Sequence, residues 1–178
     1  MNKLLWVDLE MTGLDIEKEV IIEAVAIVTD LDFNPLVTYH AIVKQEKSFL
    51  DRMDDWNTKH HGDSGLTAAV PTGREPALVE EDLLKIVNEH FPGERAVMAG
   101  NSISQDRLFI NKYFKNLSLR LHYRTVDVTS WKIIFNDKFK IRYDKKNTHR
   151  ALDDILESIA ELKFYSSHIS QSPILLPS

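Results

Sequence analysis

The chain contains no cysteine. That excludes a disulfide framework and thiolate chemistry, and it fits a reducing, cytoplasmic setting. No apolar run approaches the roughly 20 residues needed to cross a bilayer. The N-terminal run Leu4–Val7 is cut off by Asp8, too soon for a signal peptide. Internal repeats and low-complexity linkers are also missing. Nor is there an excess of positive charge: the net charge of −5 argues against a large non-specific grip on nucleic acid. What is present, 178 residues with 43% apolar and 28% charged side chains, suits one α/β domain with a real core. The expectation is a single domain over residues 1–165. The remainder, 166–178, holds two prolines and five serines and reads as a tail that is loose unless it docks on a partner.

Charge is unevenly spread. Residues 1–106 carry 9 Lys+Arg against 20 Asp+Glu, and residues 107–150 carry 12 against 3. An acidic part able to hold metals is thus followed by a basic stretch able to hold phosphates, although solvated surface charge explains any single lysine there equally well.

Three strands are expected first, over 3–9, 20–30 and 36–44. The largely β-branched run Val20–Thr29, in which Glu23 is the one charged interruption, reads as a central strand buried on both faces. Short connections, including an Asn34-Pro35 turn, predict an antiparallel meander opening a mixed sheet. Helical spacing follows near Phe49, Met53 and Trp56, then a polar loop over 58–65. An amphipathic helix is predicted over 75–91, stopped by Pro92-Gly93. A short buried strand at 96–100 leads to a helix ending near Phe114. A strand over 122–126, a helix containing Trp131 and Phe135, a basic loop over 138–147 and a last helix over 149–165 complete the chain, with Thr148 as the N-cap.

The chemistry begins where the first strand ends, at Asp8-Leu9-Glu10. Alternation along a strand puts Asp8 and Glu10 on one face. Two adjacent carboxylates raise each other's pKa unless a cation lies between them, and hard oxygen ligands suit Mg²⁺ or Mn²⁺. Gly13 lets the backbone turn close to whatever the metal holds. Alone, this pattern is also that of a solvated strand end. Asp106 follows a buried strand and reads equally well as a helix cap. His149 and Asp154, five positions apart on the last helix, converge only if His149 sits at the helix mouth.

Taken together, Asp8-x-Glu10, Asp106 and His149-x4-Asp154 resemble the DEDD 3′→5′ exonuclease superfamily in its histidine-containing branch. The segments Trp6–Leu14, Met53–Asn57, Gly100–Arg107, His122–Arg124 and Thr148–Ser158 are similar to the oligoribonuclease family, with similarity from about residue 3 to 165. The resemblance implies an RNase H-like mixed β-sheet flanked by helices. It implies two Mg²⁺ or Mn²⁺ ions on Asp8, Glu10, Asp106 and Asp154, and His149 as the base that takes a proton from water. The implied substrate is very short RNA, dinucleotides above all, cut to nucleoside 5′-monophosphates, with no stable complex with long nucleic acid. Leu14 resembles a wedge between two bases and Trp56 a stacking partner for one of them, though Trp56 also suits a core. His61 matches a polar contact near the scissile phosphate. Ser102, Arg124, Thr129 and Ser130 resemble a cap on the 5′-phosphate, and Tyr123 a residue that reaches into a neighbouring subunit, which implies a homodimer. The chain departs from the family pattern at Thr129-Ser130, whose hydroxyl residues stand in reverse order, and in a more basic 138–147 loop that lacks a glycine. A proofreading or tRNA-trimming exonuclease of the same superfamily is the alternative, separable by preference for long strands. A binding module with a decayed centre is a third reading, and the intact set of carboxylates gives it no support.

Overall fold

A computed structural model of the chain describes residues 2–144 and 151–169. Its strands are β1 Lys3–Met11, β2 Ile21–Asp30, β3 Pro35–Ile42, β4 Ala96–Gly100 and β5 Leu121–Asp127. The helices are α1 Lys47–Leu50, α2 Asp55–Asp63, α3 Leu66–Ala69, α4 Pro76–His90, α5 Ser104–Tyr113, α6 Lys115–Arg120, α7 Val128–Ile134 and α8 Ala151–Ser167. The five strands form one sheet in the order β3-β2-β1-β4-β5. As the sequence predicts, β1, β2 and β3 make an antiparallel meander, and β4 and β5 add in parallel on the far side of β1.

Alternation along β1 decides what each face carries. Leu5, Val7 and Leu9 pack with Val79, Leu83 and Val87 of α4 and with Phe109 and Ile110 of α5. Leu4 and Trp6 point the other way, into a layer with Val128 of α7 and Ile155, Ile159 and Leu162 of α8. Helices therefore cover both faces, and this explains why β2 reads as an apolar run broken inside only by Glu23. Trp6 is fully buried, and its indole N–H donates to Thr29 Oγ1 at 3.0 Å, which removes the cost of burying that polar edge. A smaller cluster beneath α1–α3 contains Val20, Ile22, Leu50, Met53, Leu66 and Val70.

Three local features differ from expectation. The predicted polar loop over 58–65 is helical as far as Asp63, because Asp54 caps α2 by accepting from the Asn57 amide at 2.7 Å. A short helix, α6, precedes β5. Phe135–Phe139, spanning the end of the predicted helix with Trp131 and the first residues of the expected basic loop, forms a π-helical turn that packs Phe135 against Tyr165 of α8. The Thr148 cap and the start of the last helix at 149 lie outside the described residues, as does most of the tail.

Candidate active site

The site grows from the place where β4 stops. Gly100 ends β4 against Val7: a Cβ added at Gly100 would come within 2.9 Å of the Val7 carbonyl oxygen, so only glycine allows this approach. Beyond that point the β4 side of β1 is bare. The Leu9 amide, left without a strand partner there, donates to Asp106 Oδ1 at 2.9 Å. Asp106 lies in the first turn of α5 and is buried. Its neighbour Gln105 donates to the Leu14 carbonyl at 2.8 Å and ties the loop after β1 to the same helix.

On the other face of β1, Asp8 and Glu10 point toward α8, as alternation requires. One carboxylate oxygen from each of Asp8, Glu10 and Asp154 lies within 4.8 Å of the others. Burial, then Asp106, Glu10, Asp154 and Glu23 in that order, push the Asp8 carboxyl well above its ordinary range. Burial and Glu23 push Glu10 up to about 7. Burial likewise pushes Asp106 to about 7, against the opposing pull of the Leu9 amide. Sharing protons or binding a cation are the two ways to hold such a group together, and an all-oxygen donor set fits Mg²⁺ or Mn²⁺. His149, the predicted base, lies outside the described residues.

The other predicted residues separate into groups. Leu14 is 72% exposed and Trp56 67% exposed, so neither belongs to the core, and the core alternative for Trp56 falls. The Trp56 ring is stacked on His60 one helical turn later, at 4.7 Å and 11°. His61 is buried and its Nε2–H donates to the Met11 carbonyl at 2.9 Å. Burial also holds its pKa below the ordinary imidazole range.

Ser102 and Thr129 come together: the Ser102 amide donates to Thr129 Oγ1 at 2.9 Å, and the two hydroxyls are 3.2 Å apart. Asp127 binds them both, accepting from the Ser102 amide at 3.1 Å and the Thr129 amide at 2.9 Å. Ser102 has φ +49°, a left-handed conformation unusual for serine. Beside the pair is a cleft of about 370 Å³ lined also by Asn101, Lys132 and Asn136. Ser130 is exposed on α7 and does not line that cleft. The Arg124 guanidinium rests over the Tyr123 ring, 5.2 Å from its centre, and Tyr123 is 73% exposed. Gly13 packs closely on Glu19. A Cβ there would meet Glu19 Cγ at 3.1 Å, so its missing side chain makes room for Glu19, which accepts from Thr12 Oγ1.

The exonuclease family model RNase_T matches residues 5–162. The oligoribonuclease of Ectopseudomonas mendocina (strain ymp) is 44% identical over 172 residues, covering 94% of this chain and 96% of that protein. The chain belongs to the oligoribonuclease family. The human mitochondrial oligoribonuclease is 41% identical over 182 residues, covering 97% of this chain and 76% of the human protein. Among solved structures, E. coli exonuclease I bound to a dA16 oligonucleotide superposes with a TM-score of 0.72 at 13% identity. That match covers 94% of this chain but 41% of the exonuclease I chain, so it bears on the fold alone.

Two features of this oligoribonuclease-family site escaped the sequence reading of function. Glu23 stands opposite Glu10 in the β1–β2 register, and its carboxylate pairs with His40 Nε2 on β3 at 2.6 Å. The charged interruption in an otherwise apolar strand was the available signal. Asn101 Nδ2 donates to Ser158 Oγ at 2.5 Å, and Ser158 Oγ donates to the Asp154 carbonyl at 2.8 Å. The loop carrying Ser102 is thereby braced to the helix turn carrying Asp154, a link that no spacing within either segment reveals.

Proposed function

We propose that this 3′→5′ exoribonuclease of short RNA acts chiefly on dinucleotides and releases nucleoside 5′-monophosphates by two-metal-ion hydrolysis. The convergence of Asp8, Glu10 and Asp154, with Asp106 anchored beside them on the Leu9 amide, is what supports the reading. These four carboxylates would hold two Mg²⁺ or Mn²⁺ ions. Bound there, they would supply positive charge beside the phosphate and lower the pKa of a bound water. His149 takes the water's proton, a task suited to a pKa near neutrality. Trp56, backed by His60, offers one open ring face to a base, and Leu14 wedges between the two bases. His61 serves as a polar contact near the scissile phosphate. Ser102, Thr129, Ser130 and Arg124 receive the 5′-phosphate, with the Arg124 guanidinium as the anion fork once it leaves the Tyr123 ring. A closed end of this kind limits substrate length. It also lets a net-acidic protein handle RNA, since only a phosphate or two need holding. The exposed Tyr123 on the edge strand β5 reaches the site of a second copy in a homodimer, which sedimentation measurements test. Among the described residues no helix is long and apolar enough to cross a membrane; a cytoplasmic location is a separate part of the proposal.

Incubating the protein with a labelled 5′-phosphorylated diribonucleotide, with Mn²⁺ and then with EDTA, tests the reaction. Metal-dependent conversion to mononucleotides is expected. Degradation of long single strands with the dinucleotide left intact would replace this reading with the proofreading or trimming alternative. Leu14→Ala is expected to slow dinucleotide cleavage and to narrow the preference for dinucleotides over longer oligomers. An unchanged length preference would remove Leu14 from the binding surface.

A further inference from the structure

Beside Glu10 lies a cleft of about 430 Å³ lined by Glu10, Glu23, His40, His60, His61 and Asp153 among others. Within it, one ligating atom from each of Glu10, His60 and His61 lies within 4.8 Å of the other two. A tetrahedral ion with bonds of 2.0–2.1 Å needs its ligands about 3.4 Å apart, so small side-chain rotations close the set. We propose that Glu10, His60 and His61 form a transition-metal site, selective for Zn²⁺ over Mg²⁺, that shares Glu10 with the carboxylate cluster and lets zinc restrain the enzyme.

The donor chemistry sets the selectivity. Two imidazoles and one carboxylate are a zinc-type set, whereas Mg²⁺ favours oxygen and keeps its waters. A carbonyl can only accept, so His61 Nε2 carries its proton toward Met11 O and the neutral ring keeps its lone pair on Nδ1. An ion taking Nδ1 leaves that bond in place, the outer support that most metal-ligating histidines have. His60 is held in place by its stacking on Trp56. The Glu23 carboxylate, paired with His40 and facing Glu10 across the strands, adds negative potential without being needed as a ligand. Because Glu10 belongs to both groups, zinc on the imidazoles draws it away from the ions of the carboxylate cluster. Inhibition by this route does not require Mg²⁺ to leave Asp8, Asp106 and Asp154.

The restraint rests on the proposed catalytic role of Glu10, but the zinc site itself does not, and the experiment separates them. Zn²⁺ is titrated calorimetrically into the full chain in excess Mg²⁺, alongside His60→Phe and Asp106→Asn, with circular dichroism confirming the fold. His60→Phe keeps a ring against Trp56 and removes the ligating nitrogen. One Zn²⁺ per chain is expected in the unsubstituted protein, with affinity at least tenfold lower in H60F and within threefold of the unsubstituted value in D106N. Zinc is also expected to slow dinucleotide hydrolysis by the unsubstituted protein, and to do so at least tenfold less effectively in H60F, each compared with its own zinc-free rate. Equal zinc affinity in H60F, or loss of zinc binding in D106N, would overturn the proposal. Absence of Mn²⁺-supported hydrolysis, with zinc still bound through His60, would sink the exoribonuclease reading and leave the zinc site standing.

Discussion

Asp106 uses one carboxylate for two purposes: it satisfies a strand amide that the sheet leaves bare, and it adds charge to a crowded anionic site. Asp106→Asn separates them. The amide oxygen still accepts from Leu9, while a buried like charge disappears. The variant is expected to keep or slightly raise the melting temperature of the metal-free protein at pH 8 and to lose more than about a hundredfold in metal-dependent cleavage. Melting scans with a dinucleotide assay check both, and unimpaired turnover would remove Asp106 from the metal site. Ser102 allows a similar separation of backbone from side chain. Its φ of +49° costs any residue with a Cβ about 1 kcal/mol, and its amide bonds to Asp127 and Thr129 do not depend on the side chain. Ser102→Gly is therefore expected to be about 1 kcal/mol more stable than Ser102→Ala in urea. Both are expected to raise KM for 5′-phosphorylated dinucleotides, because both lack the hydroxyl. Equal stability of the two would mean that the local conformation carries no strain.

At the scale of elements, Ser158 shows how helix α8 is locked to the sheet. Its hydroxyl sits between the Asn101 side chain and the Asp154 carbonyl one turn back. Ser158→Ala strands a half-buried Asn101 N–H and frees the turn that carries Asp154. A loss of about 1–2 kcal/mol in urea is expected, together with weaker Mg²⁺ binding by calorimetry. Unchanged Mg²⁺ affinity would make the brace structural only. The strands were legible because β-branched runs and alternation are local properties; β1 and β2 begin and end close to the positions their side chains predict. Helix α2 was not, because its residues are mostly polar and an Asp54 cap with one buried histidine holds it, leaving hydrophobic periodicity nothing to report. The same distinction runs through the site. Asp8 and Glu10 follow from the period of a strand, whereas Glu23 and the Asn101–Ser158 brace join residues distant in sequence and exist only once the sheet and α8 are assembled.

For the whole molecule, the concentration of carboxylates at one end of the sheet makes stability depend on pH in a direction opposite to most acid-sensitive proteins. Asp8 is raised well above its ordinary range, and Glu10 and Asp106 to about 7, mainly by burial. A carboxyl whose pKa is higher folded than unfolded binds more protons in the folded state. Stability then falls as pH rises, from the unfolded values near 4 through about 7. Asp15 and Asp30 act in the opposite sense: hydrogen bonds to the Lys18 side chain and the Asn34 amide, respectively, lower them, and their contribution fades only as pH drops below about 4. Without divalent ions the protein is therefore expected to be most stable near pH 4 and to lose stability from there through about pH 7. Mg²⁺ binds the deprotonated cluster, so it is expected to raise the melting temperature strongly at pH 8 and little at pH 5. Thermal melts in EDTA and in excess Mg²⁺, taken from pH 5 to pH 8, measure both slopes. A melting temperature that climbs with pH in EDTA, or an Mg²⁺ effect of the same size at both ends, would show that the four carboxylates do not share one buried site.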